Sequence, residues 1–117
     1  MSAQPARKVE VPAPAKPGTM AYLAENCGES GKAFKGFIDA LYGKSPLDAK
    51  TRELVFLGVQ AALGLEGAVR AHVPRAMAAG ATRDEIVEAM MVAVPNGGVS
   101  GPSRAIAIVD EIVQTAK

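Results

Sequence analysis

The chain has 117 residues, of which 13 are basic and 12 are acidic, and its formal net charge of +1 gives no basic excess that would indicate nucleic acid or an anionic membrane as a partner. The single cysteine, Cys27, excludes an internal disulfide and favours a reducing, cytoplasmic location. Hydrophobic residues make up 49% of the chain but aromatic residues only 4%, so a chain of this size buries a thin core, and we expect burial between subunits of a homo-oligomer to supplement it.

The first 17 residues are predicted to form an extended or disordered arm. They hold four of the eight prolines, each of which fixes φ and removes a hydrogen-bond donor. The arm either wraps a neighbouring subunit or is a loose tail. It lacks the continuous apolar stretch of a signal peptide, and no later window offers about eighteen uninterrupted apolar residues, so no membrane partner is expected. Residues 18–117 are predicted to form one helical domain.

Two helices are predicted before residue 44. Thr19 is the expected cap of a short helix that runs to about Asn26. Ser30 is the expected cap of a second helix, which ends at Gly43. The second helix carries apolar residues at helical spacing, namely Phe34, Phe37, Ile38, Leu41 and Tyr42.

The segment "SPLD" predicts the start of a third helix. Ser45 is the expected cap, Pro46 takes the first helical position, and Asp48 completes a capping-box pattern. The apolar stripe of this helix is predicted at Leu54, Leu57, Ala61 and Leu65. Two glycines, Gly64 and Gly67, are expected to break it.

Three further helices complete the prediction. One runs from about Glu66 to Ala79 and ends at Gly80. Another begins at a second capping box and carries Ile86, Val87, Met90, Met91 and Val94, with Thr82 as cap and Glu85 as its partner. After "PNGG", which we interpret as a tight connection rather than an anion site, the last helix opens at Ser100–Pro102. Val and Ile recur at helical rather than alternating spacing, so the predicted fold is an all-α bundle of five to seven helices, with Met77, Met90 and Met91 in its core.

An acid and the one histidine of the chain are candidates for a shared site. Glu53 and His72 are nineteen residues apart, which on one straight helix is roughly 28 Å. If the chain reverses at its glycines, the two helices run antiparallel, and a polar cluster of Glu53, Gln60 and His72 becomes possible. A carboxylate beside an imidazole can transfer protons near neutral pH. The competing interpretation is a structural histidine with one hydrogen bond.

The stretches "TRELVFLGVQAALGLEGAVRAH" and "AMAAGATRDEIVEAM" resemble the carboxymuconolactone decarboxylase and alkylhydroperoxidase D family over about Ser45 to Val94. The peroxidase branch of that family carries a Glu, a Cys twelve residues later, a second Cys three further on and a His four beyond. Those positions are Glu53, Leu65, Ala68 and His72, so the acid and the histidine are present and both cysteines are absent.

The decarboxylase branch implies a small-molecule lyase that removes CO₂ from a lactone acid. No cofactor is expected, and no metal, because one His without a Cys cluster cannot supply a site of ordinary ligand spacing. By this resemblance His72 is the proton donor and Glu53 orients it, and the chain forms a homotrimer or homohexamer. Arg70 or Arg52 is assigned to the substrate carboxylate, because a guanidinium binds a carboxylate bidentately, and Gln60 is assigned to substrate binding with them.

Two alternatives remain at this point. A thiol-dependent peroxidase would use Cys27 with an external thiol, against the interpretation of Cys27 as a buried small apolar residue. A non-catalytic oligomeric binding protein would retain the fold without the chemistry, and a fully enclosed Glu53 and His72 with no cavity beside them would favour it.

Overall fold

The computed structural model describes residues 16–116, which contain seven helices and no strand, in agreement with the predicted all-α class. The helices are α1 (Met20–Asn26), α2 (Gly28–Gly43), α3 (Ala49–Leu63), α4 (Glu66–Ala78), α5 (Arg83–Val92), α6 (Val94–Gly97) and α7 (Ser100–Thr115). The described residues divide into two compact units, one that ends at Ser45 and one that begins at Pro46. Most of the predicted arm, residues 1–15, lies outside the described residues, and the predicted single domain over residues 18–117 stays a prediction.

The first unit contains α1 and α2. Thr19 caps α1 as predicted, since its side-chain oxygen accepts a hydrogen bond from the Tyr22 N–H at 3.2 Å. The prediction that Ser30 caps α2 was wrong, because α2 already begins at Gly28 with Cys27 at the cap position. Gly28 has φ +59°, a conformation that glycine adopts without strain, and this lets the chain turn directly from one helix into the next. Cys27 is exposed, so its interpretation as a buried apolar residue was also wrong.

A close backbone contact joins the two helices of this unit. Gly31 is buried, and a Cβ at this position would overlap the Leu23 carbonyl. The predicted apolar face of α2 is only partly buried. Phe34 is 37% and Phe37 58% exposed, whereas Ile38, Leu41 and Tyr42 are half-buried.

In the second unit, α3 begins three residues later than the predicted capping box. Asp48 is the cap, and its carboxylate accepts a hydrogen bond from the Thr51 N–H at 2.7 Å. That hydrogen bond holds the pKa of Asp48 below its ordinary value. The prediction of Ser45 as the cap was wrong because the Asp48 side chain satisfies a free N–H of the first turn.

A turn at Gly64 returns the chain along α3. Gly64 has φ +70°, and the N–H groups of Gly64 and Leu65 bond back to the carbonyls of Ala61 and Gln60. The prediction of a break at Gly67 was wrong, because Gly67 lies inside the first turn of α4. One glycine in the left-handed region is sufficient to set α4 beside α3.

The start of α5 confirms the second capping box completely. The Thr82 side chain accepts from the Glu85 N–H at 3.1 Å, and the Glu85 carboxylate accepts from the Thr82 N–H at 2.9 Å. The "PNGG" segment supplies the short helix α6, and Gly98, with φ +87°, then ends it. The connection to α7 is thus partly helical.

The core of this unit consists of aliphatic side chains from α3, α4, α5 and α7, with small residues where helices approach most closely. A Cβ on Gly101 of α7 would overlap the Ala61 carbonyl, and one on Gly58 of α3 would lie 3.0 Å from the Ala89 carbonyl. The buried apolar residues are Leu57, Ala61, Val69, Val73, Ala76, Ala81, Ile86, Met90, Ala105, Ile108 and Val109.

Three apolar residues predicted to be buried differ in their burial. Met77 is half-buried against the core, whereas Met91 is 46% and Leu65 47% exposed. The predictions for Met91 and Leu65 were therefore wrong. Among residues 16–116, no helix has both the length and the apolar character that are needed to span a membrane.

Candidate active site at the contact of α3 and α4

The acid and the imidazole singled out in the sequence are in direct contact. Glu53 lies in the second turn of α3 and His72 in the middle of α4. The Glu53 Oε1 and His72 Nδ1 atoms are 2.9 Å apart, a distance typical of a hydrogen bond between a nitrogen and a carboxylate. The predicted antiparallel return of the chain thus places the two side chains together, while their chemical role stays a prediction.

The two partners differ in their access to solvent. The Glu53 side chain is 2% exposed and is the only charged residue among the buried ones of the described chain, whereas the His72 side chain is 13% exposed. A buried carboxylate is costly unless it is paired and hydrogen-bonded, and the imidazole supplies that pairing. The imidazole edge is therefore the part of the pair that a ligand can reach.

The hydrogen bond identifies Nδ1 as the ring nitrogen that contacts Glu53 and leaves Nε2 as the other ring nitrogen. An ionised carboxylate only accepts hydrogen bonds, so Nδ1–H of His72 donates to Glu53, and we assign the neutral ring the tautomer that leaves a lone pair on Nε2. In the charged ring, Nε2–H becomes a donor. The Glu53 carboxylate orients the ring in both states, which is the arrangement that proton transfer requires.

An aromatic ring also contacts the imidazole. The ring centroids of Phe56 and His72 are 5.3 Å apart at an angle of 72°, an edge-to-face contact. Phe56 follows Glu53 by three residues on α3, so the two side chains share a face of that helix. The sequence reasoning missed Phe56, although this i, i+3 spacing was a usable signal.

The second carboxylate oxygen of Glu53 lies beside Arg52. The Arg52 Nε atom is 3.5 Å from Glu53 Oε2, and the Arg52 side chain is 13% exposed. Within residues 16–116, neither Glu53 Oε2 nor Gln60 Oε1 accepts a hydrogen bond, and both atoms are buried. Arg52 thus lies beside the pair, while its predicted contact with a substrate stays a prediction. Gln60 lies two turns further along α3, and its place in a cluster with Glu53 and His72 also stays a prediction.

The structure does not bring Arg70 to the pair. Its Nη1 atom lies 2.7 Å from Glu111 Oε2, and both side chains are more than half exposed. Arg70 and His72 are two residues apart on α4, about 200° around the helix, so they face opposite sides. Arg70 lines a polar surface groove with residues of α7, so its predicted contact with the substrate has no support from this geometry.

Of the two positions where the peroxidase branch carries cysteines, one lies in the turn before α4 and the other lies within α4. Leu65 is exposed at the cap of α4, and Ala68 is half-buried one turn before His72. Neither side chain carries a nucleophile. Among residues 16–116, no group of three or more His, Cys, Asp or Glu side chains is arranged to hold a metal ion.

The second unit carries two surface grooves. One is an apolar groove of about 670 Å³ along α3, α5 and α6, and the other is the polar groove beside Arg70. Neither is lined by Glu53 or His72. These two grooves therefore do not lead to the pair.

One comparison with known proteins identifies a family, and a second finds a relative of unassigned function. The family model described as "Carboxymuconolactone decarboxylase family" matches residues 28–111, a range that includes Glu53, Phe56 and His72. A relative, the uncharacterized protein MJ1511 of Methanocaldococcus jannaschii, is 33% identical over 98 residues, which cover 84% of this chain and 89% of the relative. No solved structure matches the chain.

Proposed function

Because the chain belongs to the carboxymuconolactone decarboxylase family, we propose that it is a small-molecule lyase that removes CO₂ from a lactone acid, with Glu53 and His72 as its proton-transfer pair. The observation that supports this proposal best is the 2.9 Å contact between Glu53 Oε1 and His72 Nδ1. A buried acid that holds a partly exposed imidazole in one orientation is suited to general acid–base chemistry.

The proposed reaction needs one proton from the protein. Cleavage of the bond to the carboxylate releases CO₂ and leaves its electron pair on the adjacent carbon as a dienolate. The charged His72 then donates its Nε2 proton to this carbon and becomes neutral, and solvent returns a proton to the ring. Glu53 stabilises the imidazolium before the transfer and keeps Nε2 directed away from α3.

Arg52 is the proposed binding group for the substrate carboxylate. Its Nε atom lies 3.5 Å from Glu53 Oε2, and its side chain retains 13% exposure. A planar guanidinium binds carboxylates bidentately. Gln60 is proposed as a further substrate contact because its buried Oε1 can accept a hydrogen bond. Arg70 is omitted because it is paired with Glu111 on another side of α4.

The absence of sulfur at Leu65 and Ala68 disfavours the peroxidase alternative. Peroxide reduction in this family's peroxidase branch needs a thiolate nucleophile and a resolving thiol, and neither position supplies one. The proposal further includes a homotrimer or homohexamer in the cytoplasm, as expected from the resemblance and from the single cysteine.

The test is decarboxylation of a muconolactone acid by the purified full-length chain, followed as CO₂ release between pH 5 and pH 9. We expect His72→Ala to lower the turnover by about 100-fold or more, since general acid–base catalysis contributes about 10²–10⁴-fold. Arg70→Ala is the matched control: it changes a charged residue of the same helix on the opposite side and should leave the turnover within about twofold.

Two results would contradict the proposal. Absence of turnover by the parent chain throughout this pH range would favour the non-catalytic binding protein. Equal turnover in the parent and in His72→Ala would retain an enzyme but remove this mechanism.

A further inference from the structure

The second unit contains a single aromatic residue, and this residue contacts the single histidine of the chain. From Pro46 to Lys117 the sequence has no Phe, Tyr or Trp other than Phe56. The ring centroids of Phe56 and His72 are 5.3 Å apart, and the rings meet edge to face at 72°. The one aromatic ring of this unit is therefore placed at the candidate site.

Packing of the core does not account for Phe56. The core cluster and the half-buried residues packed against it are aliphatic or methionine side chains, and Phe56 is not among them in the part of the chain that the structure describes. Phe56 is half-buried, whereas the next residue, Leu57, is fully buried. Successive residues of a helix are rotated by about 100°, so these two side chains face different surroundings. The contact with His72 is therefore the feature of Phe56 that needs an explanation.

The hydrogen bond to Glu53 does not by itself determine the orientation of the imidazole. It holds one ring atom, since His72 Nδ1 lies 2.9 Å from Glu53 Oε1. The torsion that rotates an imidazole about its bond to Cβ has broad minima, so the ring can still tilt about the held nitrogen. Tilting would move Nε2, the atom that would exchange a proton with a ligand. An aromatic side chain packed against the ring opposes this motion.

Two side chains of α3 restrain the imidazole at different points. Glu53 and Phe56 are three residues apart, so they lie on one face of the helix, toward α4. The carboxylate holds Nδ1, and Phe56 packs against the ring itself. We propose that Phe56 is a positioning residue, whose ring fixes the direction in which His72 presents Nε2. This inference rests on the proposed function only for its effect on turnover.

The first test needs no substrate. Because the chain has one histidine, ring-nitrogen NMR of the isotope-labelled full-length protein gives a single pair of imidazole signals. At a pH where the ring is neutral, the parent should show two widely separated signals, since one tautomer, with its proton on Nδ1, is held. In Phe56→Leu the signals should approach each other, with the ratio of the two tautomers lowered by about two- to tenfold. Phe56→Tyr keeps the ring and should retain the separation of the parent.

A control separates positioning from a general loosening of α3. Leu54 is half-buried against the core and lines the apolar groove, which neither Glu53 nor His72 lines. Leu54→Ala should lower the melting temperature and leave the ring signals unchanged. Phe56→Met supplies a second side chain without a ring and should reproduce the result of Phe56→Leu. Circular dichroism checks that each variant keeps its helices.

The second test uses the decarboxylation assay. Phe56→Leu should lower kcat by about tenfold while KM stays within about twofold, because a misdirected Nε2 slows proton transfer without weakening binding. Phe56→Tyr should restore kcat to within about threefold of the parent.

The two tests distinguish failure of this inference from failure of the lyase proposal. Unchanged ring signals in both Phe56→Leu and Phe56→Met would overturn the inference, as would an equal change in Leu54→Ala. Unchanged ring signals together with an unchanged kcat in Phe56→Leu would leave the lyase proposal intact. A parent without turnover, whose ring signals respond to Phe56→Leu as expected, would remove the lyase proposal and support the positioning role.

Discussion

The two faces of α3 reverse the usual relation between burial and polarity. On the face toward α4, the charged Glu53 is 2% exposed, one turn before the fully buried Leu57. On the face toward the groove, the aliphatic Val55 and Val59 are each about half exposed. A surface helix of an ordinary globular protein buries its apolar side chains and leaves its charges in water.

Each departure from that pattern has a separate explanation. A buried acid costs free energy, so its retention beside an imidazole is consistent with a chemical role. A row of exposed aliphatic side chains is consistent with a surface that a partner covers. The two faces of α3 therefore differ in kind: one holds the candidate Glu53–His72 pair, and the other is an exposed aliphatic surface.

The strongest way to test this contrast is to shorten one side chain on each face. Leu57→Ala should lower the free energy of unfolding by about 2–5 kcal/mol, because Leu57 is fully buried and its truncation leaves a cavity. Val59→Ala should change it by less than about 0.5 kcal/mol in the dissociated chain. Urea denaturation, extrapolated to low protein concentration, measures both. Equal losses would mean that the Val59 face is packed within one chain.

A smaller effect is expected from adding a methyl group where α7 meets α3. Gly101→Ala places a Cβ on the Ala61 carbonyl, so the helices must separate, and we expect a loss of about 1–3 kcal/mol. Gly67→Ala is the control, because no atom lies within 4 Å of its Cβ position and it should stabilise α4 by about 0.4–1 kcal/mol. Thermal unfolding of the two variants compares them. A tolerated Gly101→Ala would show that the packed face of α3 is loose.

The smallest effect concerns an ion pair that links α3 to α5. Lys50 Nζ lies 2.6 Å from Glu85 Oε2, and this contact, followed by the Thr82 N–H, holds the pKa of Glu85 below its ordinary value of 4.5. A lowered carboxyl pKa stabilises the fold above pH 4.5, and this contribution is lost as the pH falls through the folded-state pKa.

Replacing the lysine removes most of that contribution. Lys50→Met should therefore lower the melting temperature slightly at pH 7, and the difference from the parent should vanish well below pH 4.5, where Glu85 is protonated. Lys35→Met is the control, since Lys35 pairs with Asp39 within α2 and links no two helices. A pH-independent difference for Lys50→Met would mean that Lys50 acts through packing alone.

Local signals in the sequence predicted most of the helix starts and ends. The side chains of Thr82 and Glu85 each accept a hydrogen bond from the other residue's backbone N–H. The start of α5 therefore depends on four consecutive residues and not on distant contacts. The start of α3 was misplaced because "SPLD" offers two caps, and only the path of the chain decides that Asp48, rather than Ser45, reaches a free N–H. Gly67 was misjudged for a similar reason, since a glycine near a helix start is compatible with both a turn and a helix.

The contact between Glu53 and His72 was predictable because a single turn, at Gly64, brings their two helices together. Glu53 lies about three turns before Gly64 and His72 about two turns after it. Antiparallel helices therefore bring the two residues within about one turn of each other, and their side chains close the remaining gap. The groove was not predictable, because helical periodicity identifies Val55, Val59 and Val92 as apolar positions without saying whether the same chain or another one covers them. Arg70 was assigned to the substrate carboxylate because of its charge. Its position around α4 places its side chain beside Glu111 instead.

The two-residue connection between α3 and α4 has a consequence for changes in chain length. Surface loops usually accept insertions, because their ends need only remain close together. Here one added residue at Gly64–Leu65 would shift α4 by one residue and rotate it by about 100°. His72 would then no longer face Glu53. We therefore expect this connection, despite its surface position, to be a place where the protein tolerates no indel, and libraries that vary loop lengths should keep it constant.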